Sequence, residues 1–207
     1  MARQEDVRVL LDLDIALRAE ADSMLKMTGL GDLISKAGYH AVGSYVMRTM
    51  VWRDLDFERE VDNPTWEEHW EFGHKLAQTG QIWKFSCVDA YRDRRNPGDR
   101  GFYWGVQFDY PAGGPIWKID LWSAKHGEFE TLGKRALWMG RLNDESRARI
   151  LEIKNAIWQH PEYRKSLLSV HVYEAVLEHG VRGLESFWAW WKPRYGTAQS
   201  SGGPGPN

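Results

Sequence analysis

Asp120 lies inside the run Ile116-Trp117-Lys118-Ile119-Asp120-Leu121-Trp122, whose apolar residues read as a strand with a buried face. A carboxylate in the middle of such a segment needs a charge partner, because an unpaired acid is costly to desolvate. Two more acids stand on another strand-like segment, Asp54-Leu55-Asp56, where a spacing of two puts both on one face. Carboxylates on two strands suggest a shared divalent cation, and with it phosphoryl chemistry. The blander accounts are an exposed edge strand for Asp54 and Asp56, whose acidic face continues through Glu58 and Glu60, and a salt bridge to Lys118 or an arginine for Asp120.

Ten positions before Asp54, Gly43-Ser44 follows the stretch Tyr39-His40-Ala41-Val42. Glycine lets a backbone approach phosphate oxygens closely, and amide N–H groups and a serine hydroxyl can donate hydrogen bonds to them. Gly43 and Ser44 are therefore candidate nucleotide-binding residues. Lys118 joins them as a candidate for phosphate or acceptor, with an ion-paired or solvated lysine as the equal alternative.

The rest of the chain alternates helical and strand-like segments. Leu10, Leu13, Leu17, Ala21 and Met24 repeat at helical spacing over 5–28, ending at Gly29, and a short helix spans 32–37. Strands are expected at 39–42, 50–61, 82–91, 101–110 and 115–124, with a helix opened by Asn63-Pro64-Thr65 running to about Gln78. The turn Asp93–Asp99 makes 82–110 an antiparallel hairpin, and Pro111-Ala112-Gly113-Gly114 makes an equally tight connection. Helices follow from Asn143 to His160, at 167–178 and at 184–191, the last stopped by Lys192-Pro193. The expected class is α+β: a mixed, mainly antiparallel sheet of about five strands with packed helices and a helical C-terminal part. The expected organisation is an α/β core with its N-terminal helix over 1–125, a helical region packed on it over 126–195, and a disordered Gly/Ser/Pro tail over 196–207.

A formal charge of −2 gives no broad basic footprint for nucleic acid or anionic membrane. The single cysteine, Cys87, excludes an internal disulfide and cysteine-based zinc patterns, and reads as a strand residue rather than a nucleophile. The charged N-terminal stretch has no signal-peptide pattern, and no window approaches the ~18 apolar residues of a membrane span. A cytoplasmic location is expected. The 12 tryptophans read mainly as core, with a minority available to line a pocket.

Val42-Gly43-Ser44, Asp54-Leu55-Asp56 and Ile119-Asp120-Leu121, in this order and spacing, resemble the nucleotidyltransferase superfamily of the DNA polymerase beta type. That pattern is a Gly-Ser or Gly-Gly turn, an acid-x-acid strand and a third acid on a later strand. The resemblance covers about residues 30–125 and is closest to small stand-alone members, among them minimal and antibiotic-modifying nucleotidyltransferases. It implies that Asp54 and Asp56 bind two metal ions, Mg²⁺ or Mn²⁺. It also implies that Asp120 binds the catalytic one and helps deprotonate the acceptor hydroxyl, and that Ser44 contacts the terminal phosphates. Nucleobase and acceptor sites vary across the superfamily and do not transfer.

The expected activity is therefore Mg²⁺-dependent transfer of a nucleoside monophosphate from an NTP, ATP included, to a hydroxyl of a small molecule or protein, with release of pyrophosphate. Nucleic acid and membrane are not expected partners. The alternative is a non-catalytic nucleotide-binding or regulatory protein on the same fold, such as the small partner of a two-component toxin system. Other residues carry weaker signals. Lys134, Arg135 and Arg141 read as a solvated helix face, and Arg92, Arg94, Arg95 and Arg100 as solvated charge beside a hairpin turn. Trp188, Trp190 and Trp191 read as packing on the sheet. The seven histidines show no metal-ligand spacing, and Gly29-Leu30-Gly31 lacks the third glycine of a dinucleotide fingerprint.

Overall fold

A computed structural model describes residues 2–79, 82–93, 100–129 and 131–196. Of the tail expected over 196–207, all but Gly196 lies outside the described residues, as do Arg94 to Asp99 of the hairpin turn. The chain divides into two units, Leu13–Ala136 and Met1–Asp12 with Leu137–Asn207.

The first unit is built on a five-stranded sheet of β1 (His40–Val42), β2 (Asp54–Val61), β3 (Ile82–Asp89), β4 (Phe102–Asp109) and β5 (Ile116–Lys125), in the order β1-β2-β5-β4-β3. All neighbours are antiparallel except β2 and β5, which run parallel. The class is α+β with a mixed, mainly antiparallel sheet, as the alternation predicts.

Strand alternation sorts the sheet into two faces. Leu55 and Phe57 on β2, Trp104, Val106 and Phe108 on β4, and Trp117, Ile119 and Leu121 on β5 form one buried face. They pack with Leu17, Ala21 and Met24 of α1 (Ala2–Met27), Leu30 and Ile34 of α2 (Leu30–Lys36), and Phe72 and Leu76 of α4 (Trp66–Ala77). The acids occupy the other face. α4 begins where Thr65 accepts a hydrogen bond from the Glu68 amide at 3.2 Å, so the helix opens at the third residue of Asn63-Pro64-Thr65.

Two local expectations change. β2 starts at Asp54, not Met50, because the Met50 amide is committed to the buried Asp14 carboxylate at 2.8 Å and cannot join a ladder. The Gly43-Ser44 turn is the start of a five-residue helix, α3 (Gly43–Met47).

The second unit carries α6 (Asp144–Ile157), α7 (Ser169–Leu177) and α8 (Leu184–Tyr195); α5 (Thr131–Arg141) spans the division between the units. Asn143 and Ser146 form a reciprocal capping box at the start of α6. α8 runs through Pro193 to Tyr195 rather than stopping before it; the proline removes one i→i−4 hydrogen bond, and only two helical residues follow it. Trp190 and Trp191 are buried, with ring contacts to Phe187, His171 and Tyr195 of their own unit.

Candidate active site

The parallel pairing of β2 with β5 sets Asp56 directly beside Asp120, and Asp54 beside Lys118. The three carboxylates therefore share one face, and one oxygen from each lies within 4.8 Å of the others. Asp54 and Asp120 side chains are only 15% and 16% exposed. β2 is an interior strand, so the edge-strand account of Asp54 and Asp56 does not hold.

Gly43 abuts this cluster. Val42 ends β1 opposite Asp56, and Gly43 then turns the chain with φ +66°, a conformation that L side chains rarely adopt. A Cβ at this position would collide with the Asp56 carboxylate. Ser44 is buried in the first turn of α3. The Gly-Ser element and the acid pair are therefore in contact through Gly43.

Lys118 extends over the acids. Its ammonium donates to Asp54 Oδ1 at 3.4 Å and to Asp120 Oδ2, and it lies 6.0 Å from the centre of the Trp52 ring. Lys118 is thus ion-paired rather than solvated. Tyr103 on β4 donates its hydroxyl to Asp120 Oδ1 at 2.8 Å. That reach depends on Gly105, which pairs with Asp120 across the ladder and whose missing side chain leaves the space that the Tyr103 hydroxyl fills.

Further along β2, Glu58 is 6% exposed, and both of its oxygens accept hydrogen bonds from the Arg135 fork on α5. Arg135 is thus a pairing residue and not part of a solvated face. Lys134 is exposed, and Arg141 is exposed with Nη1 on the Leu177 carbonyl. Arg92 pairs with Asp89 and Arg100 with Glu128, while Arg94 and Arg95 lie outside the described residues. Burial pushes the Cys87 thiol up to about 11, which leaves it inert as a nucleophile.

The donor set fits a hard divalent cation. Carboxylate oxygens are the ligands magnesium and manganese take, and the cradle already accepts the positive charge of Lys118. Among the described residues no other cluster of three or more acidic, histidine or cysteine side chains is arranged in this way.

Neither a protein-family model nor a curated protein sequence matches the chain. A solved structure does. One chain of the non-canonical poly(A) polymerase complex GLD-2–GLD-3 superposes with a TM-score of 0.58 at 11% identity, over 97% of this chain and 66% of that one. The fold is nucleotidyltransferase-like. This chain spans just under two thirds of that neighbour's length. Among the described residues, no helix is long and apolar enough to cross a membrane.

Tyr103, Trp52 and the Arg135–Glu58 pair are the site residues that the sequence reading misses. Tyr103 carries a usable signal: it alternates with Phe102 and Trp104 on β4, which places it on the face away from the core.

Proposed function

We propose that the chain is a metal-dependent nucleotidyltransferase that moves a nucleoside monophosphate from an NTP to a hydroxyl of a small-molecule or protein acceptor. The observation that carries this reading is the convergence of Asp54, Asp56 and Asp120 within 4.8 Å on one face of a nucleotidyltransferase-like sheet. Asp54 and Asp56 would hold Mg²⁺ or Mn²⁺, which when bound offsets charge on the attacking and leaving oxygens. Asp120 would share that ion and take the proton of the acceptor hydroxyl. The acceptor oxygen then bonds to the α-phosphorus as the bond to the β-phosphate oxygen breaks, and pyrophosphate leaves. Gly43 and Ser44 would receive the terminal phosphates, the first by close backbone approach and the second through its hydroxyl. The net charge of −2 favours a small molecule or protein over a polynucleotide as acceptor.

The test is pyrophosphate release from each NTP with Mg²⁺ over a panel of acceptors. Asp120→Asn is expected to lower kcat by ~10²-fold or more while leaving NTP affinity nearly intact, because it removes an interaction that matters chiefly in the transition state. The second reading, a nucleotide-binding protein without turnover, is favoured by one feature, the Lys118 ammonium seated among the acids. Wild-type protein that binds Mg-NTP and never releases pyrophosphate would establish it in place of the first.

A further inference from the structure

Lys118 touches the same carboxylates that the proposed activity needs for a metal ion. Its ammonium contacts Asp54 Oδ1 and Asp120 Oδ2, and its side chain is 11% exposed. A magnesium ion ligated by these oxygens would sit about 2.1 Å from each. An ammonium hydrogen-bonded to the same atoms competes with it for their lone pairs, and the two positive charges would repel at close range in a poorly solvated site. The lysine and the cation are therefore alternatives at this position. The stem of Lys118 is long and unbranched, and the Trp52 ring beside it offers a π-face toward which the ammonium can withdraw.

Resting on the metal reading above, we propose that Lys118 is a nucleotide-gated counter-ion. In the free protein it neutralises part of the acid cluster and keeps the divalent cation weakly bound. An arriving triphosphate carries several negative charges to the same face and draws the ammonium off Asp54 and Asp120 onto its own oxygens. The carboxylates are then released to the metal. Nucleotide and metal thus bind with positive coupling that runs through one side chain, and by linkage each raises the affinity for the other by the same factor. Lys118 acts here as a positioning residue, setting the order of assembly rather than reacting.

The experiment measures Mn²⁺ binding to the full chain by the paramagnetic resonance of free Mn²⁺. It is run with and without a non-hydrolysable NTP analogue and corrected for the Mn²⁺–analogue complex in solution. Lys118→Met keeps the length of the stem and removes the charge, and Lys118→Gln serves as a second variant should the first fold poorly. Wild-type protein is expected to bind Mn²⁺ weakly alone and about tenfold or more tightly with the analogue. Both variants are expected to bind Mn²⁺ tightly alone, with little gain from the analogue, and Asp56→Asn in the Lys118→Met background should abolish that tight binding. Equal Mn²⁺ affinity of wild type and both variants without nucleotide overturns the proposal. So does tighter binding in the variants with no effect of analogue on wild type, since the lysine would then be a permanent replacement for the metal. Absence of Mn²⁺ binding in every protein and condition would instead overturn the metal reading itself.

Discussion

The hydroxyl of Tyr103 occupies the space that a side chain on Gly105 would fill, and from there it donates to Asp120. One residue of β4 thus holds an acid of β5 in place only because the next residue but one has no side chain. The hydroxyl lies against the sheet itself, so Tyr103 orients Asp120.

Tyr103→Phe and Gly105→Ala are expected to produce the same defect by different routes. The first deletes the donor; the second displaces it. Each should cost roughly 1.5–3 kcal/mol in stability, the range for one hydrogen bond to a charged group. Each should also lower turnover, and the double variant should be no worse than either single one. Kinetics and melts on the three proteins test this, and additive losses would contradict it.

The Arg135 fork on Glu58 sets a second expectation. Arg135→Ala leaves a carboxylate that is 6% exposed without its counter-charge, a change of about 3 kcal/mol by the behaviour of broken buried pairs. Glu58→Gln added to that variant should recover part of the loss, because an amide is cheaper to bury than an anion. Urea midpoints for the three proteins measure both effects.

Gly43→Ala should damage the site more than the fold. The new methyl group meets the Asp56 carboxylate and the backbone is held at φ +66°, so roughly 1 kcal/mol of strain is added and Asp56 is pushed out of register with Asp120. Calorimetry with Mn²⁺ and an NTP analogue should then show weakened binding in protein that still melts cooperatively.

Acid should weaken the sheet unit through His69. The ring is buried between Trp66 and Trp104, and Nε2–H faces the Tyr103 carbonyl. Burial pulls its pKa down to about 4, against the opposing pull of the Tyr103 carbonyl, with Arg59 adding to the shift and Asp89 resisting it. The unfolded chain takes up this proton near 6.5 and the folded chain only near 4, so the stability is complete above 6.5 and drains away as pH falls toward 4. The loss from this group amounts to about 2 kcal/mol by pH 5. His69→Phe should flatten that part of the profile in denaturant titrations at pH 7 and 5. In the other unit His171 shifts in the same direction by burial, its Nδ1 already accepting from Trp191 and from the Leu168 amide.

What could be read along the chain was whatever depended on neighbours in sequence. The parity of Asp54 with Asp56, the alternation on β4 and the cap region before α4 are all local, and they place the acids and the core on opposite faces of the sheet. The pairing of Asp56 with Asp120 is not local. It depends on β5 entering between β2 and β4, a register choice made across 64 residues. Arg135 was obscured for the same reason: helical charge patterning shows which residues share a face, but its partner Glu58 lies 77 positions away. α3 has too few residues for any periodicity to develop, so only the glycine signalled it.

The sheet order β1-β2-β5-β4-β3 leaves the acid cluster incomplete until β5, the last strand in the chain, is in place. β2 carries two of the acids early in the chain, yet its neighbour β5 is made only after the β3–β4 hairpin. A chain emerging from the ribosome as far as β4 has a pair of aspartates and no third. Premature or truncated products would thus carry the Gly43-Ser44 turn without the completed acid cluster. Occupancy of that cluster would report that the central strand has been threaded into place.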